Sequence, residues 1–438
     1  MKYISTRVGS ATGRTPLTFQ QAVFSGLPPD GGLYVPAEQP DLRARIAGFT
    51  EQTSFVDIAS AVFETLIGDE LGPEAIRRVC ERAFTFEPAL QSLDEKLTLL
   101  ELFHGPTCAF KDFGAAFLAA VMEEFLVQEN RRAVILVATS GDTGSAVARA
   151  FQGKANIEVV ILYPSGRVSA LQEQQLTTAG GNVTALEIQG SFDDCQRMAK
   201  EAFVDSELRR SVSLSSANSI NLGRLLPQAL YYIYGNCQLK SGKKRIICVP
   251  SGNFGNLTAG VYAWLWGMEV DGFIAATNIN DVVPEYLSTG EFRPRRSLKT
   301  ISNAMDVGYP SNFERLIVVF EGSVRKMRRR IKGVAITDRE TRDTMRRVYD
   351  ESGMLIDPHT AVGVLASRRY REDSRFDGQI LSLATAHPGK FVDIVEQATG
   401  TAPDLPATLR EAMDKKKQAT PLEPSLERLR EFLLDRYA

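Results

Sequence analysis

From about residue 96 onward the sequence alternates between short β-branched runs and amphipathic stretches, and that alternation restricts the fold more than any other feature. AVILVA (Ala133–Ala138), VVILYP (Val159–Pro164), VTALEI (Val183–Ile188) and RIICVP (Arg245–Pro250) read as strands. SAVARAFQ (Ser145–Gln152), SALQEQQLTTA, FDDCQRMAKEAFV and GRLLPQALYYIYG read as the helices between them. Such alternation predicts an α/β fold with parallel sheets covered by helices on both faces. Ligand sites in such sheets lie beyond the carboxyl ends of the strands. That is where this chain places its glycines, serines and threonines.

The flanking regions read differently. The first 95 residues mix helix patterns with a Pro/Gly-rich patch, GLPPDGGLYVP (Gly26–Pro36), which must be rich in turns. FVDIASAVFETLIG (residues 55–68) puts Phe55, Ile58, Val62 and Leu66 on one helical face. SLERLREFLLDRY (Ser425–Tyr437) aligns Leu426, Leu429 and Leu433 in the same way and is expected to dock on the body. With 438 residues, two to three domains of about 100–200 residues are expected. The predicted division is an N-terminal α+β domain over 1–95, a large domain over 96–128 and 223–438, and a small α/β domain over 129–222.

Composition excludes several classes of function. Lys and Arg number 51 and Asp and Glu 53, so no global field favours nucleic acid or an anionic membrane. No uninterrupted apolar run approaches the ~18 residues of a spanning helix, and MKYISTRVGSATGRT carries no signal-peptide pattern. Cys80, Cys108, Cys195, Cys237 and Cys248 are scattered and never spaced as CxxC, which argues against a disulfide framework or structural zinc. The expected location is the cytoplasm. His104, His359 and His387 lie in turn-like contexts without HExxH spacing, so no metal site is expected.

Three loops carry the chemistry. In PSGNFGN (Pro250–Asn256) a strand ends, glycines follow, and LTAGVYAWLW continues as helix. Glycines allow close backbone approach, and the N–H groups and dipole of a first helical turn favour an anion; an ordinary strand-to-helix turn has the same composition. No Lys-Ser/Thr pair follows, so this is not a Walker loop. ATSGDTGSA (Ala138–Ala146) repeats the design, with Thr139, Ser140 and Thr143 supplying hydroxyls for a carboxylate or phosphate, or else a helix cap. In HGPTCAFKDFG (His104–Gly114), Lys111 opens a helix between Phe110 and Phe113. The helix dipole and apolar surroundings disfavour an ammonium there, as a Schiff-base lysine requires. A surface lysine packing its stem on aromatics would read the same.

Together these motifs resemble the threonine synthase family, bacterial and fungal branch, within the fold-type II enzymes dependent on pyridoxal 5′-phosphate. GLPPDGGLYVP, HGPTCAFKDFG, ATSGDTG, NSINLGRLLPQ (Asn218–Gln228), PSGNFGN, SNAMDVGYPSNFER (Ser302–Arg315) and TAHPGKF (Thr385–Phe391) occur in family order over nearly the whole chain. The resemblance implies that Lys111 holds the cofactor covalently. It implies that Gly252, Asn253, Phe254, Gly255 and Asn256 form the cofactor-phosphate loop, and that Thr385 partners the pyridine nitrogen. Thr139, Ser140 and Thr143 are then expected to bind the substrate α-carboxylate. Ser219, Asn221 and Arg224, with Ser311 and Asn312, are expected near the substrate phosphate, and Lys299 is a further cation by composition. No role follows for Asp142, which stands where many fold-type II enzymes carry asparagine. The implied activity converts O-phospho-L-homoserine and water to L-threonine and phosphate. The alternative is a related phospho-lyase that releases 2-oxobutyrate. Oligomeric state does not follow from the sequence.

Overall fold

A computed structural model describes residues 1–7, 15–139, 141–239 and 242–438. Two sheets dominate it. The larger has six strands in the order Ile331–Ala335, Gly272–Thr277, Arg245–Pro250, Gln379–Ala384, Leu97–Glu101 and Ala89–Ser92. All neighbours are parallel except the last, where Ala89–Ser92 turns back antiparallel on Leu97–Glu101. The smaller sheet is parallel throughout, in the order Thr420–Leu422, Val183–Ile188, Ile157–Pro164, Ala133–Ala138 and Leu214–Ser215. Central strands such as Ala133–Ala138 and Gln379–Ala384 are buried at every residue. Burial on both faces explains why they read as continuous apolar runs rather than alternating ones.

A third, two-stranded piece, Tyr3–Ser5 against Tyr34–Pro36, ties the N-terminal region together. Its helices Phe55–Ile67 and Pro73–Ala83 pack on Lys111–Glu129 through an aromatic block. Phe63 stacks on Phe117 at 3.9 Å, and Phe55 meets both Phe84 (5.0 Å) and Phe113 (5.3 Å). Such pairs contribute roughly 0.5–1.5 kcal/mol each beyond area burial. They fix the first turn of the helix that begins at Lys111.

Several expectations need correction. The boundary placed at residue 95 falls inside the turn between Ala89–Ser92 and Leu97–Glu101, so Ala89–Ser92 belongs with the large sheet. The C-terminal end, assigned to the large domain, lies on the small sheet instead. Thr420–Leu422 pairs with Val183–Ile188, and Leu429 and Leu433 are buried beside Cys195, Met198 and Ala199. The reason is the open edge of Val183–Ile188 and the apolar face of helix Phe192–Val204, both of which need a cover. GRLLPQALYYIYG is two helices, Leu222–Leu225 and Gln228–Cys237, with Pro227 between them. Strands Gly272–Thr277, Ile331–Ala335 and Gln379–Ala384 were not anticipated; they complete the large sheet.

Candidate active site

The loops singled out in the sequence follow the carboxyl ends of parallel strands: two leave Leu97–Glu101 and Arg245–Pro250 of the larger sheet, and one leaves Ala133–Ala138 of the smaller. Beyond Leu97–Glu101 the chain is zipped to the segment that leaves Gln379–Ala384. Leu102 N–H donates to Ala384 O (2.9 Å), Phe110 N–H to Thr385 O (2.9 Å), and His387 N–H to Cys108 O (3.1 Å). The turn is closed by Asp112, whose carboxylate accepts from Thr107 N–H (2.9 Å) and Thr107 Oγ1 (2.6 Å). Burial pushes the Asp112 carboxyl up to about 6, against the pull of those bonds. Gly105 is required here, because a Cβ would stand 2.5 Å from Asp112 Oδ2. The result is Lys111 at the first position of its helix, with its side chain only 18% exposed.

Lys111 Nζ lies 3.4 Å from Asp142 Oδ2. Burial pushes the Lys111 ammonium below the ordinary lysine range; Asp142 opposes that, and Lys390 and Arg224 reinforce it. Asp142 opens helix Asp142–Phe151 and also accepts from Lys390 Nζ (2.7 Å) and Gln172 Nε2 (3.1 Å). Burial alone would raise the Asp142 carboxyl, but the ammonium groups of Lys390 and Lys111 outweigh it and hold Asp142 well below the usual carboxylate range. Lys390 and Gln172 are residues that sequence reasoning missed. Lys390 stood in TAHPGKF, but a lysine beside Gly and Pro has the composition of a surface turn.

PSGNFGN forms a cradle at the start of helix Gly255–Leu265. Phe254 adopts a left-handed conformation (φ 60°), which turns the chain into the helix. Among the described residues, the backbone N–H groups of Gly252, Asn253, Phe254, Gly255 and Asn256 have no protein acceptor. Side chains brace the loop. Asn256 Nδ2 donates to Pro250 O (2.8 Å), and Asn256 Oδ1 accepts from Ser251 Oγ (2.5 Å). Asn253 donates to Ser219 Oγ (2.9 Å) and accepts from Ser311 N–H (2.6 Å), bringing three predicted residues together. Gly252 lies flat on the 302–306 segment, where a Cβ would sit 2.7 Å from Ala304 O. Asn312 Nδ2 is buried without a partner, 3.3 Å from where a Gly255 Cβ would be. Its amide is oriented by Arg315 Nη1, which donates to Asn312 Oδ1.

The remaining predicted residues divide. Thr385 is buried, and its hydroxyl has no hydrogen-bond partner among the described residues. Thr143 is half-buried in the first turn of Asp142–Phe151. Ser140 lies outside the described residues. Thr139 Oγ1 accepts from Gly141 N–H (3.1 Å) and Gly144 N–H (2.9 Å), so it shapes the loop. Asn221 is a correction: its amide donates to Val23 O and Ser216 O and accepts from Gly223 N–H, leaving no polar atom for a ligand. Its role is to cap Leu222–Leu225. Lys299 is exposed. Arg224 is buried, with Nη1 donating to Ala217 O (2.9 Å), Nε unpartnered, and no carboxylate in ion-pair range among the described residues. Burial pushes it down to about 10.

This donor set suits a phosphorylated aldehyde. It offers an amine of lowered basicity, a ring of free N–H groups at a helix start, and a hydroxyl just beyond the strand that lies between their two strands. Comparison with known proteins agrees. Residues 87–386 match the family model for pyridoxal-phosphate dependent enzymes, residues 2–84 the threonine synthase N terminus, and residues 360–433 the threonine synthase C-terminal region. A threonine synthase of Serratia marcescens is 40% identical over 420 residues, covering 95% of this chain and 96% of that one.

The chain belongs to the threonine synthase family. Another member, from Escherichia coli (strain K12), is 41% identical over 91% of this chain and 92% of its own. The crystal structure of the pyridoxal-phosphate-bound threonine synthase from Brucella melitensis superposes with a TM-score of 0.93 at 37% identity, covering 99% of each chain. The yeast threonine synthase gives 0.91 at 31% identity, covering 99% of this chain and 98% of its own. Threonine deaminase from Solanum lycopersicum, at 17% identity and a TM-score of 0.56, shares the fold alone. Among the described residues no helix is long and apolar enough to cross a membrane.

Proposed function

We propose that the protein converts O-phospho-L-homoserine and water to L-threonine and phosphate. The observation that carries this reading is a second anion-ready group beside the cofactor cradle. The free N–H groups of 252–256 suffice for one phosphate. Arg224 is a further buried cation with no carboxylate in ion-pair range among the described residues, close enough to bias Lys111. A substrate bearing its own phosphate is what such a pair of sites accommodates, and a guanidinium gives that phosphate two parallel donors.

Lys111, the 252–256 loop and Thr385 are the residues that would hold pyridoxal phosphate. When bound, the cofactor supplies an electron sink for negative charge on carbon. The chain's own groups do the rest. The Lys111 amine takes the Cα proton and serves as the nearby base and acid at Cβ and Cγ. Thr143, at the start of Asp142–Phe151, receives the substrate carboxylate with the helix dipole behind it. Arg224 holds the γ-phosphate while the Cγ–O bond breaks and phosphate leaves. Water then adds a hydroxyl at Cβ and Cγ gains a proton, so water is consumed and phosphate released in equal amounts. Ser219 and Ser311, which hydrogen-bond Asn253, and Asn312, with its unpartnered Nδ2, support a place for that phosphate beside the cradle.

The test is chiral amino-acid analysis beside a keto-acid assay on one reaction with O-phospho-L-homoserine. L-threonine and phosphate in equal amounts are expected. Mainly 2-oxobutyrate would replace this reading with the phospho-lyase.

A further inference from the structure

Lys390 sits on the segment after Gln379–Ala384, yet its ammonium reaches two other loops. Its side chain is 1% exposed. Nζ donates to Asp142 Oδ1 (2.7 Å), at the start of the small-sheet helix, and to Thr107 O (3.0 Å), in the turn that presents Lys111. Asp142 is itself only 6% exposed and faces two lysines: Lys390 at 2.7 Å and Lys111 at 3.4 Å. A buried carboxylate needs a counter-charge, and removing one partner of a buried pair is strongly unfavourable. If Lys111 were the sole partner of Asp142, every loss of its proton would strand an anion in the interior. A nucleophilic lysine must lose that proton.

We propose that Lys390 is a positioning residue that acts through Asp142. Its ammonium is the second counter-charge of that carboxylate and ties it to the Thr107 turn, so that Lys111 is free to give up its proton. This rests on the reading of Lys111 as the cofactor lysine for its catalytic meaning, but not for its test. The charged groups around Lys111 are Asp142, Lys390 and Arg224; Asp112 faces Lys390 and Arg224 from the Lys111 helix itself. Lys390 and Arg224 favour neutral Lys111 and Asp142 favours the ammonium. Removing Lys390 must therefore make Lys111 hold its proton more tightly, and removing the Asp142 charge must do the reverse.

The experiment is competitive trace acetylation of the full chain, stripped of cofactor with hydroxylamine, read at the Lys111 peptide as a function of pH. Circular dichroism checks the fold of each variant. For Lys390→Met the Lys111 profile is expected to move to higher pH by about one unit, a roughly tenfold loss of free amine at neutral pH. For Asp142→Asn it moves to lower pH. Lys390→Arg keeps the charge and is expected to follow the wild-type profile; should the methionine variant not fold, Lys390→Gln, which also removes the charge, is read in its place with the same expected shift. A packing role for Lys390 predicts shifts of the same sign in Lys390→Met and Asp142→Asn, or none, and either result overturns the proposal. Should Lys111 not be the cofactor lysine, reductive labelling would mark another lysine while these opposed shifts would persist, so the two failures are distinguishable.

Discussion

In the proposed reaction, two side chains separate cofactor binding from substrate choice. Lys111 owes its reactivity to burial at a helix start, and borohydride reduction of the cofactor-loaded protein should fix the pyridoxyl group on the Lys111 peptide. Recovery of the label on Lys390, the other buried lysine of the site, would reassign the nucleophile. Arg224 owes its role to what it lacks. With one backbone acceptor and, among the described residues, no carboxylate in ion-pair range, it is the group we propose for the substrate phosphate. Arg224→Ala should lower kcat/KM for the phosphorylated substrate roughly tenfold to hundredfold, the loss of a charge-assisted contact of about 1.5–3 kcal/mol. It should also raise the share of 2-oxobutyrate over threonine, and Arg224→Lys should rescue only partly, since a point charge cannot give two parallel bonds. Unchanged rate and partition would make Arg224 structural. Lys111 and Arg224 were singled out in the sequence through the motifs HGPTCAFKDFG and NSINLGRLLPQ, whose family resemblance, rather than position alone, suggested their roles. Asn221 misled because a buried capping asparagine and a ligand-binding one have the same neighbours in sequence.

At the level of elements, packing decides where those side chains point. Gly114 lets helix Lys111–Glu129 lie against the Leu222–Leu225 turn, where an added Cβ would come 2.6 Å from Arg224 O. Gly114→Ala should destabilise the fold by about 1–3 kcal/mol, as overpacking does. It should also raise KM for the phosphorylated substrate more than it lowers cofactor affinity, since the strain falls on Arg224; equal effects on both would refute that route. A second element tests the charges. Helix Asp338–Ser352 starts with a capping box in which Glu340 accepts from Thr337 N–H (2.8 Å) and pairs with Arg369. Those contacts, led by the Thr337 N–H, hold Glu340 down at about 2. A lowered carboxylate stabilises the native state above its unfolded value, and that contribution fades as pH falls toward about 2. Glu340→Gln should therefore cost about 0.5–1 kcal/mol in denaturant titrations at pH 7, modest because the pair is partly solvated, with the gap closing on acidification. A gap that persists to low pH would mean that the cap acts without its charge.

For the whole molecule, the chain closes on itself at its C-terminal end. Leu429 and Leu433 complete the outer core of the small sheet, and Thr420–Leu422 covers its edge. Leu433→Ala should cost about 2–5 kcal/mol. Because this cluster lies apart from the large-sheet core, pyridoxal phosphate affinity measured on the folded variant should stay at the wild-type value. A large loss of affinity would show that the two sheets are coupled through their interiors.

The sequence by itself determined the class of fold and singled out the three candidate loops. Both are local: β-branched runs, glycine-rich turns and a lysine beside aromatics leave their mark within a dozen residues. Strand order, the docking of residues 420–437 and the correct partition of the sheets came only with the tertiary structure. Thr420 and Leu186 are far apart in the chain yet paired in the sheet, and no local pattern records such a pairing. The same holds at the site. Lys390, Asp142 and Lys111 meet because three strand ends converge, and whether a lysine is a solvated surface charge or a buried counter-ion depends on what the rest of the chain places around it.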